Sequence, residues 1–245
     1  MGQKLRNATE ECLDYWNTDV PMSFFDKHLT YEQKRKFRYS LQDYMHKEFH
    51  FEKFCGKLVL DIGCGAGIDS CEFLRNGANV VSLDFSEASM KATKRLKQET
   101  NLPAKLIRGT VLNLPFNSST FDCVYCVGVL HHVVKIRKAL NEILRVLKPN
   151  GLFMGLLYHK NSLMYAYLKF KKMGTERRRG CPYAKAYSLE ETYSLFHKYF
   201  KSVELKVCYN VIDLGTERKV KFKLANGDES LGWHIVVKAS KGIMK

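Results

Sequence analysis

Several features are missing from this chain of 245 residues, and each absence narrows what the protein does. No run approaches the ~18 consecutive apolar residues that a membrane-spanning helix needs. The opening stretch MGQKLRNATEECLDYW has no apolar signal core, and the M-G-x-x-x-[ST] pattern of a myristoylated N-terminus fails at Arg6. There is no internal repeat and no low-complexity tract. Of the eight cysteines, Cys123 and Cys126 form one C-x-x-C, but no second pair stands at zinc spacing from it. Both lie in FDCVYCVGVL, an expected strand, where residues three apart face opposite ways and their thiols cannot converge on one metal ion. The expectation is eight reduced thiols in a cytoplasmic protein, with no metal. Acid is also scarce: 25 Asp and Glu against 40 Lys and Arg, a net charge of +15. Such a field attracts anions, whether nucleic acid, an acidic membrane surface or an anionic substrate. The lysines are spread over nearly every expected helix, however, as on a solvated surface. The densest cluster, KFKKMGTERRR at Lys169–Arg179, reads as a solvated loop in preference to an anion contact.

What is present is an alternation of short apolar runs and helical stretches. Strands are predicted over Leu58–Ile62, Asn79–Asp84, Ala104–Arg108, Phe121–Val127 and Leu152–Tyr158. Helices are predicted over residues 67–76, Glu87–Gln98 and Lys135–Leu147, with Lys148–Gly151 as a turn. This order implies a parallel sheet covered on both faces. Upstream, Asn7–Trp16 and Tyr31–Phe51 read as helices, the second with Phe37, Leu41, Tyr44, Met45 and Phe49 on one face. Downstream, Ser162–Met173 and Leu189–Phe200 read as helices, the latter with a capping box from Ser188 and Glu191. Ser202–Tyr209 and Trp233–Ala239 read as strands, and Asn226-Gly227-Asp228 as a turn. The length suits one α/β domain with an added cap.

The most informative stretch is KLVLDIGCGAGIDS, Lys57–Ser70. A buried strand ends in a glycine-rich turn that opens a helix. The spacing of Gly63, Gly65 and Gly67 is G-x-G-x-G, neither the G-x-G-x-x-G of dinucleotide binders nor a Walker loop. Glycine there permits unusual backbone angles and close approach of a ligand to the main chain. Asp61 precedes the turn; a carboxylate there repels a pyrophosphate and attracts an ammonium. That points to a ligand with an amino acid end, such as S-adenosylmethionine. The next strand, NVVSLD, ends in Asp84, where an acid accepts hydrogen bonds from ribose hydroxyls. Phe85 is placed to lie against adenine, and Ser86 to cap the following helix with Ser89 pointing away.

In five ordered segments spanning about 58–158, LVLDIGCGAG, VVSLDFS, NLPF, FDCVYCVGVLHHV and EILRVLKPNG, the chain resembles class I S-adenosylmethionine-dependent methyltransferases. The pattern is most similar to the small-molecule branch that includes ubiquinone and menaquinone biosynthesis methyltransferases. The resemblance implies a doubly wound, mostly parallel, seven-stranded Rossmann-like sheet with an antiparallel last strand. It also implies a helical cap over residues 1–55, a methyltransferase domain over 56–245 and a substrate-side insertion at about 159–187. Cofactor contacts are implied for main-chain groups of Gly63, Cys64 and Gly65 with Asp61 at the methionine end, Asp84 at the ribose, Phe85 and Val111 at adenine, and Val127 beside the methionine moiety. The family commonly has an acid after the glycine at the third strand's tip; Thr110 stands there instead. Tyr15 and Trp16 are expected to close the site, and Tyr158 to meet substrate. Of the histidines at the strand tips, His159 is the candidate base, while His132 is expected only to shape its loop by a hydrogen bond. The acceptor is expected to be a small molecule, aromatic or quinone-like, since Tyr15, Trp16, Phe24, Phe25, Tyr165, Tyr167, Tyr183 and Tyr187 crowd the acceptor-reading segments, with Arg177–Arg179 available to an anionic group on it. Two alternatives stay open. One is an RNA methyltransferase, suggested by charge, although Val127-Gly128-Val129-Leu130 replaces the Asn/Asp-Pro-Pro-Tyr/Phe motif of base N-methylators. The other is a non-catalytic cofactor-binding interaction module.

Overall fold

The chain is represented by a computed structural model that describes residues 11, 14–17, 28–103, 105–173, 181, 183–213, 219–221 and 229–242. Its centre is β1, Leu58–Ile62, paired in parallel with β2, Asn79–Asp84, on one side and β4, Phe121–Cys126, on the other. With β3 (Lys105–Arg108), β5 (Leu147–His159), β7 (Ser202–Cys208) and β10 (His234–Ser240) the order is β3-β2-β1-β4-β5-β10-β7. β10 runs antiparallel to both neighbours, as expected of the last strand. An eighth strand, the two-residue β6 (Ala186–Tyr187), pairs with the end of β5 beyond β4. A separate hairpin joins β8 (Val211–Asp213) to β9 (Lys219–Lys221).

Alternation along each strand sends side chains to two cores. From β1, Leu60 and Ile62 join a cluster with Leu83, Val124, Leu140 and Phe153, whereas Val59 joins one with Phe49, Phe73, Tyr125 and Trp233. Cys123 and Cys126 fall into different clusters, hence on opposite faces. A strand buried on both sides needs apolar residues at every position, so LVL and VVSL read as near-continuous apolar runs. Burial at about 25 cal/mol per Å² of apolar area is what holds these layers together.

The helices described from the N-terminal side are α1 (Tyr31–Leu41), α2 (Tyr44–Phe49), α3 (Ile68–Arg75) and α4 (Glu87–Thr100). The later ones are α5 (Ile136–Val146), α6 (Leu163–Phe170) and α7 (Leu189–Phe196), and Ser188 with Glu191 makes the expected capping box. Two expectations need correction. Tyr31–Phe51 is not one helix: it breaks at Gln42, and His50 (φ 47°) ends α2 in the left-handed region before a 3-10 turn at Phe51–Phe54. The break turns Tyr44, Met45, Phe49 and Phe51 onto the sheet, while Phe37 stays 37% exposed. Lys148–Gly151 does not separate helix from strand but lies within β5. There the register against β4 jumps from Phe121–Leu147 to Cys123–Leu152, a bulge that Asn150 accommodates at φ 60°. Phe24–Phe25, Arg177–Arg179, Asn226–Asp228 and most of Asn7–Trp16 lie outside the described residues. Among the described residues no helix is long and apolar enough to cross a membrane, and no group of His, Cys, Asp and Glu is arranged to hold a metal ion.

Candidate functional site

The carboxyl ends of β1, β2 and β4, with the segment after β3, enclose a cavity of about 390 Å³. That size is in the range of small-molecule sites. Asp61, Gly63, Cys64, Gly65, Asp84, Phe85, Thr110, Val111, Val127, Trp16 and Tyr158, all singled out from sequence, line it together.

The glycine turn works differently from its sequence reading. Gly63 and Cys64 donate their N–H groups to the Leu83 carbonyl (2.7 and 3.2 Å), and Gly65 donates to Asp84 Oδ2 (3.0 Å). These amides are spent on β2, so what the turn offers a ligand is shape and carbonyl oxygens. Nor is ligand approach the reason for glycine at two of the three positions. At Gly63 (φ 72°) a Cβ would run into Val129 Cγ2, and at Gly67 (φ 79°) it would stand 2.6 Å from Thr93 Cγ2. Both glycines let the turn pack against its own protein.

Asp84 accepts from Gly65 N–H and, through Oδ1, from Ser86 N–H at 2.8 Å. Burial raises its pKa despite these donors and one from the Ser89 side chain. Ser89 therefore turns toward the site, contrary to expectation, and it lines the cavity. Asp61, 2% exposed, accepts from Ser70 Oγ, which is linked to Ser82 Oγ (2.7 Å). Burial, with the charges of Asp69 and Asp84 adding to it, pushes Asp61 up to about 7. Asp69 lies beside it. Burial would raise Asp69 too, but Arg38 (2.7 Å), Tyr125 (3.0 Å) and Tyr39 (3.0 Å) bond its carboxylate, and its pKa falls below the ordinary value. Arg38, Asp69 and Tyr125 all line the cavity. Sequence reading missed them because Arg38 comes from α1 and nothing local marks its partner.

At the third strand tip, Thr110 Oγ1 accepts from Leu112 N–H (3.3 Å), so the hydroxyl replacing the usual acid also shapes its own turn. Other walls of the cavity are aromatic. Trp16 is clamped by its carbonyl to Ser86 Oγ (2.9 Å), and the Asn17 side chain caps Glu87 N–H (3.0 Å), which fastens this segment over the start of α4. Tyr15 does not line the cavity; it packs edge-on against Trp16 at 5.1 Å. His159 is also placed elsewhere. It is 2% exposed, its Nδ1 lies 2.9 Å from the Gly232 carbonyl, and burial lowers its pKa. Period-two alternation turns it away from the cavity that Tyr158 lines. His132 lines the cavity instead.

The described groups fit S-adenosylmethionine. Carboxylates and a guanidinium match a zwitterionic amino acid, Asp84 matches a diol, and Phe85, Val111 and Leu112 give an apolar slot for a flat base. Comparison with known proteins agrees. Residues 60–155 match the family described as "Methyltransferase domain". Over that span the chain is similar to methyltransferase domains. The chain is similar to the sterol 24-C-methyltransferase of Saccharomyces cerevisiae, 29% identical over 188 residues, covering 73% of this chain and 44% of that protein. It is also similar to the demethylmenaquinone methyltransferase of Clavibacter sepedonicus, 36% identical over 96 residues, 39% of each chain. The chain spans less than half the length of the curated relatives it matches. Among solved structures, the fold resembles that of magnesium protoporphyrin IX methyltransferase from Synechocystis PCC 6803 with bound SAH, with TM-score 0.66 at 15% identity, covering 96% of this chain and all (100%) of that one.

Proposed function

We propose that this protein transfers a methyl group from S-adenosylmethionine to a small-molecule acceptor with a flat, hydrophobic body. One observation carries the reading: a single cavity is lined both by acids and a guanidinium (Asp61, Asp69, Asp84 and Arg38) and by the rings of Trp16 and Tyr158. When bound, the cofactor supplies an electrophilic methyl group; the protein's part is binding and orientation. Asp61 and Asp69 hold an ammonium, Arg38 a carboxylate, and Asp84 the ribose hydroxyls. Phe85 and Val111 flank the base, with Thr110 and the Val111 main chain at its edge, and Val127 lies along the methionine moiety. Trp16 and Tyr158 exclude water and align the acceptor, and fixing two reactants in this way is worth several kcal/mol of barrier. The names of the sterol and menaquinone relatives support a hydrophobic acceptor. Seven free cysteines among the described residues support a cytoplasmic setting.

Titration calorimetry with S-adenosylhomocysteine tests this. Wild-type protein is expected to bind it, and Asp84→Ala to bind about a hundredfold more weakly, the worth of two hydrogen bonds to a charged group. Asp84→Asn, which keeps one acceptor and the shape, is expected to fall between them. Absence of wild-type uptake at millimolar concentration overturns the reading.

A further inference from the structure

His132 ends the 3-10 turn Leu130–His132 that follows β4, is 8% exposed, and forms part of the cavity wall. Its Nδ1 lies 3.0 Å from the carbonyl oxygen of Tyr183. A carbonyl only accepts, so the neutral ring carries its hydrogen on Nδ1 and its lone pair on Nε2. Cys181 Sγ approaches the same carbonyl at 3.4 Å and Nδ1 at 3.5 Å; a thiol donating to Tyr183 leaves that tautomer in place. The expected loop-shaping hydrogen bond therefore exists, and it also sets which nitrogen is basic. The ring stands edge-on to Trp16 (5.0 Å) and Tyr158 (5.9 Å), two aromatic walls of the cavity. Among the described residues, ionisable groups packed on it include His131 (4.2 Å between rings), Tyr158 and Cys181. The charged side chains that line the cavity are hydrogen-bonded elsewhere, Arg38 to Asp69, Asp61 to Ser70, and Asp84 to Gly65 and to Ser86, whose hydroxyl holds the Trp16 carbonyl.

We propose that His132 is a catalytic residue whose Nε2 takes the proton of an aromatic hydroxyl on the acceptor. The proposal rests on the methyltransferase reading and narrows its acceptor class to phenol-like molecules. A planar ring suits the walls of Trp16 and Tyr158, and an aromatic O–H is acidic enough for a neutral imidazole to remove. In the step, the O–H bond breaks and an N–H bond forms at Nε2. The electron pair stays on oxygen, which becomes the nucleophile, and the imidazolium later returns its proton to water. Tyr183 fixes the ring for this role without touching the acceptor.

The test uses the full chain loaded with S-adenosylhomocysteine and para-nitrophenol as probe, since the phenolate is read by its absorbance. His132→Asn places an amide nitrogen where Nδ1 was, keeps the donor to Tyr183 and deletes Nε2. Nitrogen NMR of the wild-type ring is expected to show the Nδ1–H tautomer, turning to imidazolium when the probe binds. Bound probe is expected to be ionised below its solution pKa in wild type and not in His132→Asn, with the variant binding S-adenosylhomocysteine within about twofold. Methylation of the probe is expected to fall by about 10²–10⁴-fold, the usual worth of a general base. An Nε2–H tautomer, equal ionisation in the variant, or a loaded wild-type protein that ignores the probe overturns the proposal. Failure to take up S-adenosylhomocysteine, measured separately, removes the cofactor reading and this proposal with it.

Discussion

At Asp61, binding and folding oppose each other. In the fold it titrates at about 7, against 3.8 for an ordinary aspartate, because burial and the neighbouring Asp69 and Asp84 disfavour its charge. Between those values the native state keeps a proton that the unfolded chain has lost. Stability therefore declines as pH rises from roughly 4 to 7 and stays at the lower level above. Asp61→Asn retains an acceptor for Ser70 and removes this decline. Urea denaturation is expected to show the variant equal to wild type near pH 4 and more stable at pH 8, by up to about 4 kcal/mol. An ammonium in the cavity favours the ionised form, so wild-type affinity for S-adenosylhomocysteine is expected to climb with pH and level off above about 7, with no such climb in Asp61→Asn. A wild-type stability curve that is flat from about pH 4 to 7 refutes this assignment. Asp69 has the opposite sign: its pKa is lowered, so its contribution is present at neutral pH and lost in acid.

At the scale of elements, α1 is fastened to α3 by ion pairs of unequal worth. Arg38–Asp69 (2.7 Å) is nearly buried, with side chains 16% and 12% exposed, whereas Arg75–Glu32 (2.7 Å) stands at 46% and 61%. Removing Arg38 leaves a charged Asp69 without its cation in a dry site. Arg38→Ala is expected to cost about 3 kcal/mol in chemical denaturation, and Arg75→Ala under about 0.5 kcal/mol, since an exposed pair gains little. Equal costs would show that burial does not decide between them. This clasp was not legible in the sequence: its partners are 31 residues apart, and no local pattern sets the register of a cap helix against a core helix. The strands were legible, because Leu58–Ile62 and Asn79–Asp84 are buried on both faces and so run nearly continuously apolar apart from Asp61, Asn79, Ser82 and Asp84. The break at Gln42 was not, because apolar spacing continues through it and the sheet beneath decides where the chain bends. The site divides the same way. Asp61 and Asp84 could be read from their strands, but the capture of the Gly63–Gly65 amides by β2 depends on how two strands meet. The tautomer of His132 depends on Tyr183, 51 residues away.

For the whole molecule, the cavity is where the separate cores meet. Leu83 and Val111 come to it from one face of the sheet, Tyr125, Val127 and Tyr158 from the other, and Ala66 and Ile68 from the small cluster beneath α1. Trp16 adds the N-terminal segment. A ligand seated there touches all of these elements at once, so its occupancy adds to global stability. At a hundred times its Kd, S-adenosylhomocysteine is expected to add about 2.7 kcal/mol, or about 5–10 °C in Tm for a chain of this size. Asp84→Ala should show no such rise. The net charge of +15 provides a control. A polyanion such as heparin also raises Tm by relieving repulsion, but that effect acts through exposed charges and fades as salt shortens the Debye length from ~10 to ~3 Å. The S-adenosylhomocysteine shift arises among buried groups and is expected to persist in 1 M salt (about a 3 Å Debye length). A shift that vanishes with the heparin effect would place the ligand on the charged surface, and the cavity would lose its role as the cofactor site.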